Sequence, residues 1–552
     1  MHCLSALGLS RRLNDLPQLG TAEASGVLGM SYACNHSSRY RLKQKVGNIM
    51  QFRKILFSAV CVVGVVFGLA GQSAMAQAPA SAPASAPASS LAAPVAAPDA
   101  AAALPVSAPP VPAAAPAPVV AASAPAAATP TAPALTRPGL VGTETLNSAD
   151  TGWMMTATAL VLLMTLPGIA LFYGGMVRRK SVINTMACVV AICAVVSLLW
   201  FAVGYSIAFT PGSGAWSPYI GGTERLWFAG LDYAKETQKV AVSHIAPNIP
   251  ESVYAMYQLT FAIITAALVV GAFVERMRFS AMLIFMSLWT LVVYAPIAHW
   301  VWEPNGWLAK LGVLDFAGGS VVHINAGIAG LVCAYAMGPR RGYGKEPFPP
   351  FNLGLTMAGA GMLWVGWFGF NAGSAVAADG RAGLAMAVTH IAAAAGALSW
   401  MLAEWVVRGR PSLLGLCSGL VAGLVAITPA AGFVSPRSAL VFGAVAGVAC
   451  YWGATALKRA LNADDSLDVF GVHGVGGLVG ALLTGVFASK TISGSEGSLL
   501  TQALGAGAVL LYSLFMTALV LWVTSKLVSL RVGEAGEVDG LDIAQHAESI
   551  GT

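Results

Sequence analysis

From about residue 150 the chain is a run of eleven apolar segments. They are centred roughly on residues 163, 196, 264, 289, 327, 362, 395, 420, 447, 478 and 515, with polar connectors between them. Each is long enough for a helix of about 20 residues, the length that crosses the hydrocarbon core of a bilayer. The expected fold class is all-α, a polytopic membrane protein with 11 transmembrane helices. Composition agrees. Of 552 residues, 57% are hydrophobic and only 10% charged, against about 25% charged in a soluble protein. Such a chain has too few charges to clothe a water-facing surface, which argues against a nucleic-acid binder, a soluble enzyme or a disordered chain.

Lys and Arg in the connectors give the orientation. Alternate short loops carry Arg178, Arg179 and Lys180; Arg276 and Arg278; Arg340, Arg341 and Lys345; Arg408 and Arg410; Lys458 and Arg459. These loops are expected on the cytoplasmic side of the inner (plasma) membrane. The N-terminus is then outside, and an odd helix count puts the C-terminal tail inside. The formal net charge of +6 comes wholly from residues ahead of position 77.

Those leading residues read as processing signals. Residues 50–76 have a charged start, the apolar run Ile55–Ala70, and Ala74-Met75-Ala76 before Gln77. That is the pattern of a secretory signal peptide, with a first membrane helix as the alternative. A signal beginning at Met50 leaves residues 1–49 as an over-extended gene model. Residues 77–147 are expected to be an Ala/Pro-rich periplasmic tether. Residues 148–528 would be the membrane domain and 529–552 a cytoplasmic tail. The cysteines beyond residue 77 all lie in apolar stretches and suggest neither a disulfide framework nor a metal site.

Ionisable groups at membrane depth are candidates for function. Asp315 and His323 precede and enter the fifth segment, and Asp468 and His473 the tenth. The two Gly-rich stretches are alike, which points to an inverted repeat of helices 1–5 and 6–10 followed by helix 11. His323 and His473 would then face each other at the repeat interface. A bis-His haem site is the competing account of the pair. Aromatics give a second clue. Tyr257 and Phe261 share a helix face, and Trp302, Phe370 and Ser374 lie at segment ends on the outer side. They form either an aromatic belt or a cage for a small cation.

Five motifs carry a family resemblance: Pro167–Gly175 (PGIALFYGG), Glu275–Ser280 (ERMRFS), Asp315–Asn325 (DFAGGSVVHIN), Gly366–Ser374 (GWFGFNAGS) and Asp468–Gly474 (DVFGVHG). Over about residues 148–550 the sequence resembles the ammonium transporter family (Amt, Mep and Rh proteins). The resemblance implies a homotrimer with one path per subunit, carrying ammonium or ammonia and also methylammonium, with no cofactor. It implies that Phe261, Trp302 and Ser374 recruit ammonium and that Asp315 organises that site without holding the ion. Phe261 and Phe370 would be a stacked gate, His323 and His473 the twin pore histidines, and Trp367 and Thr428 pore-lining positions. The tail resembles one that communicates with P-II signalling proteins, so an ammonium sensor acting through P-II is the alternative to a transporter. Two departures stand out. Tyr257 replaces a usual Phe, so its hydroxyl is expected to add a hydrogen bond or narrow the mouth. Glu303 follows Trp302 where Gly is common, either as a vestibule charge that gathers cations or as an exposed loop charge.

Overall fold

The computed structural model describes residues 135–551. The over-extended start, the signal peptide and residues 77–134 of the expected tether lie outside the described residues.

Ten helices among them are long and apolar enough to cross a membrane. In chain order they are α1 (Ser148–Met176), α2 (Arg179–Phe209), α3 (Glu251–Phe273), α4 (Phe279–Leu311), α5 (Gly319–Met337), α6 (Leu353–Gly373), α7 (Gly380–Arg408), α9 (Pro436–Ala460), α10 (Phe470–Phe487) and α11 (Leu499–Leu527). The shorter apolar helix α8 (Leu413–Ile427) completes the expected eleven. Small polar side chains start many of them. The Asn147, Asn352, Asp379, Ser412, Ser435 and Ser498 side chains each accept from a first-turn amide, which satisfies donors that have no partner within the helix.

Helix contacts are made by small residues, as the Gly spacings suggest. A Cβ on Gly423 of α8 would lie 2.1 Å from the Ala392 carbonyl of α7, and one on Gly480 of α10 2.3 Å from Ala426 of α8. The repeat shows in the crossing of α5 and α10. Gly327, four residues after His323, has room for no Cβ beside the Gly474 backbone. Gly477, four after His473, packs against the His323 Cβ and the Ile324 amide. The two backbones nearly touch at the histidines because glycine faces each helix from the other.

The chain departs from all-α in one place. Strands β1 (Gly139–Gly142), β2 (Tyr233–Ala234) and β3 (Lys239–Val242) form an antiparallel sheet in the order β1-β3-β2. Its first strand belongs to the segment expected to be a tether. Four residues of β1 bonded to an existing loop need no core of their own, so an Ala/Pro-rich composition upstream does not prevent it.

The Arg/Lys-rich connectors gather at one end of the bundle and are cross-linked there. Arg178 and Arg340 both reach Glu275, and Arg340 also forks onto Asp464. The Phe348 ring lies 4.3 Å and 4.6 Å from those two guanidinium groups. The tail packs on the same end. Val532 N–H donates to Arg276 O, and the Asp542 carboxylate accepts from the Asn184 amide at the start of α2.

Candidate functional site

The predicted site residues fall along one path through the bundle. At the end opposite the basic connectors, the α3 spacing of four puts Tyr257 and Phe261 on one face, with ring centroids 5.0 Å apart. Trp302, where the α4 helix pauses, meets Phe261 edge to face at 5.8 Å. Trp302 Nε1–H donates to Asp315 O at 2.9 Å. The Asp315 carboxylate accepts from four consecutive amides, Gly318 to Val321, at 2.6–3.2 Å. Burial raises its pKa, and those four amides pull it back. Every lone pair is engaged with the chain, so Asp315 shapes the loop under Trp302 and the start of α5.

Tyr257 adds the bond expected of its hydroxyl. It lies 2.9 Å from Phe370 O, 3.0 Å from Gly369 O and 3.2 Å from Ser374 Oγ. The Ser374 hydroxyl can also donate to Phe370 O, at 2.9 Å. Phe209 is an addition that sequence reasoning missed: its ring stacks on Trp302 at 6.4 Å and 15°. Nothing in its local sequence marks it among the other aromatics.

Beneath this aromatic cluster, Phe261 and Phe370 are stacked at 4.2 Å and 24°. Below them lies a small enclosed cavity lined by Ile264, Leu268, Val322, Leu363 and Val421 with Trp367, His323 and His473. The histidine rings lie 5.4 Å apart at 24°, with Nδ1 to Nδ1 at 3.3 Å. That direct contact leaves no space for an iron between the rings, which disposes of the haem account. His323 Nε2 has no partner. Trp367 stacks on His323 at 5.5 Å, and its Nε1–H donates to Thr428 Oγ1 at 2.9 Å. The walls are apolar, and the only chemistry they offer to a small solute is the pair of imidazoles.

Two expectations need correction. Asp468 is not a buried partner of the repeat. It is 28% exposed and paired with Lys458 at 2.7 Å. The counterpart of Asp315 is Asp465, 2% exposed, which accepts from the Phe470 amide at the start of α10. Asp315 and Asp465 each stand eight residues before their histidine. That spacing was the available signal, and matching on Asp-Phe hid it. Glu303 is neither a vestibule charge nor an exposed loop charge. It is fully buried, with His244 Nε2 at 3.0 Å and the Asn305 amide at 2.5 Å.

Comparison with known proteins places this arrangement. Residues 152–550 match the family model described as the Ammonium Transporter Family. An ammonium transporter of Aquifex aeolicus is 46% identical over 411 residues, 73% of this chain and 93% of that protein. One of Bacillus subtilis is 43% identical over 412 residues, 73% and 98%. Among solved structures, Mep2 of Candida albicans has a TM-score of 0.65 at 36% identity, covering 71% of this chain and 88% of that one. A structure described as a sensor Amt protein gives 0.65 at 29%, covering 72% and 98%. Matched over residues 152–550 and similar to named ammonium transporters over nearly their whole length, the chain belongs to the Ammonium Transporter Family and is a multi-pass membrane transporter of ammonium, not an enzyme.

Proposed function

We propose that ammonium is recruited at the outer aromatic site, gives up a proton to water on the outer side of the stacked phenyl rings, and crosses the lumen as ammonia. Energetics favour this order. Moving a monovalent ion of this size into a low-dielectric medium costs on the order of 20 kcal/mol. A cation–π contact returns about 2 kcal/mol when desolvated. Phe261, Trp302 and Tyr257 therefore suffice to select a cation at the mouth but not to carry it across the apolar wall. Ser374 Oγ accepts a hydrogen bond from the ion, and Asp315 holds the loop beneath. Phe261 and Phe370 bar water and hydrated ions. His323 and His473 share a proton between Nδ1 atoms, one donating and the other accepting, while Trp367 and Thr428 form the wall beside them. The observation that carries this reading is the stacked phenyl pair set between an aromatic cluster and a cavity with a His323 nitrogen left unpaired.

The basic end faces the cytoplasm of the inner membrane, with the N-terminus periplasmic after signal cleavage. The working unit is a homotrimer. His390, exposed on α7 with its ring tilted against Trp364, supports a covering copy, because an ionisable group at that depth is costly against lipid. The tail on the basic end is the docking element for a P-II protein. The sensor reading has one structural neighbour in its favour, and flux separates the two.

The test is reconstitution in proteoliposomes, with voltage-resolved uptake of ammonium, methylammonium and potassium. We expect selective ammonium flux, and the double variant His323→Ala/His473→Ala to lose it or to leak other cations. Unchanged selective flux in the double variant refutes the mechanism, and no flux in the unaltered protein favours the sensor.

A further inference from the structure

Glu303 follows Trp302 in the chain, and its carboxylate has no exposure to solvent. One oxygen accepts from the Asn305 amide, and the other lies 3.0 Å from His244 Nε2. The His244 side chain is 3% exposed, and its Nδ1 has no partner. A carboxylate withdrawn from water is costly unless paired, so the two side chains depend on each other.

Their positions in the chain give the pair a role. His244 lies between β3 and α3, and α3 carries Tyr257 and Phe261. Glu303 ends the turn of α4 that carries Trp302. The pair therefore ties the chain leading into one wall of the aromatic site to the chain leaving the other. The Trp302 indole itself has a single hydrogen bond, to Asp315 O, with ring contacts to Phe261 and Phe209. A tie at the adjacent residue fixes the backbone from which that ring projects. Small displacements matter here, because cation–π attraction depends on where the ion sits over the ring.

We propose that His244 and Glu303 are positioning residues for the outer cation site. Without touching the ion, they hold Trp302 against Phe261 and so set the affinity of recruitment. The proposal rests on the reading of Trp302 as part of the cation cage.

The experiment is methylammonium uptake by the full chain in proteoliposomes, recording half-saturation concentration and maximal rate separately. His244→Ala should raise the half-saturation concentration about tenfold, the size of one largely lost cation–π contact, and leave the maximal rate within about twofold. His244→Gln restores an N–H toward Glu303 and should recover most of the loss. If His244→Ala does not fold, Glu303→Gln, which keeps the shape and removes the charge, should raise it about threefold. Trp302→Leu is the control. If it raises the half-saturation concentration while the His244 and Glu303 variants do not, the positioning role is overturned and the cage stands. If Trp302→Leu also leaves it unchanged, the cage reading itself fails. A fall in maximal rate at constant half-saturation overturns the proposal as well.

Discussion

Thr428→Val keeps the shape of the side chain and removes the one hydroxyl bonded to the Trp367 indole. That hydroxyl donates to Leu424 O at 2.8 Å and accepts from Trp367 Nε1–H at 2.9 Å. Thr428 is 0% and Trp367 2% exposed, so water cannot take its place. Valine leaves the indole N–H without an acceptor, and a buried donor left unpaired costs about 1–3 kcal/mol. The lost bond to Leu424 O adds roughly 0.5–1 kcal/mol, for a total of about 1.5–4 kcal/mol. Trp367→Phe removes the donor itself and pays instead for a cavity, roughly 2 kcal/mol. The double variant has no orphan, so its loss should fall short of the sum by about 1–2 kcal/mol. The assay is a double-mutant cycle on unfolding in mixed detergent micelles. A Thr428→Val variant within about 0.5 kcal/mol of the unaltered protein, or strictly additive losses, refutes the reasoning. Flux should fall with stability, because the freed indole stacks on His323.

Tyr257→Phe should cost only about 1 kcal/mol, because Phe370 O keeps the Ser374 hydroxyl as a donor; uptake kinetics should show a changed half-saturation concentration with the maximal rate kept. Asp315→Asn offers one side-chain oxygen to four amides. Two or more go unpaired, and the yield of folded protein should drop by an amount matching about 2–4 kcal/mol. Asp465 gives a pH prediction. Burial, with Asp468 beside it, pushes its carboxyl from the ordinary 3.8 up to about 6. A raised carboxyl pKa means the folded state holds its proton longer than the unfolded chain. Stability from this group is therefore full below 3.8 and lost as pH rises through about 6. Asp465→Asn should flatten the fall in thermal stability between pH values of about 4 and 6, and an unchanged slope would count against it.

How much of this was legible in the sequence depends on what each feature rests on. The spans were legible because apolar length is a property of consecutive residues, and the shortest, α8, still carries its centre at the expected place. The meeting of His323 and His473 was legible because a titratable side chain in an apolar run stands out. The family motifs then named the aromatics that spacing alone left between belt and cage. The small sheet was not legible. Its strands are two to four residues long and join Gly139 to Val242 across two spans. Phe209 was lost for a different reason: one aromatic among many gains meaning only from the ring it touches. Glu303 was misread in both alternatives because a loop charge carries no sign of burial, and its partner His244 is 59 residues away.

The arrangement of buried charge explains why the histidines carry the functional claim. At the basic end, Glu275 is met by Arg178 and Arg340, and Asp464 by Arg340 and Arg276. At the other end, Glu251 is met by Arg225, Glu303 by His244, and Asp315 by four amides. These groups are spent on holding loops together, as buried ions generally must be. Among the described residues, the wall around the two histidines contains no such pair. The Nδ1 atoms of His323 and His473 meet each other, and the buried His323 Nε2 has no partner. Unmatched buried atoms occur elsewhere, His244 Nδ1 among them, but this one belongs to a ring that lines the cavity beneath the phenyl pair. On the proposed mechanism, a neutral solute with one lone pair and three N–H groups can both donate to and accept from an imidazole, whereas a cation, which can only donate, finds no compensating charge beside the two rings.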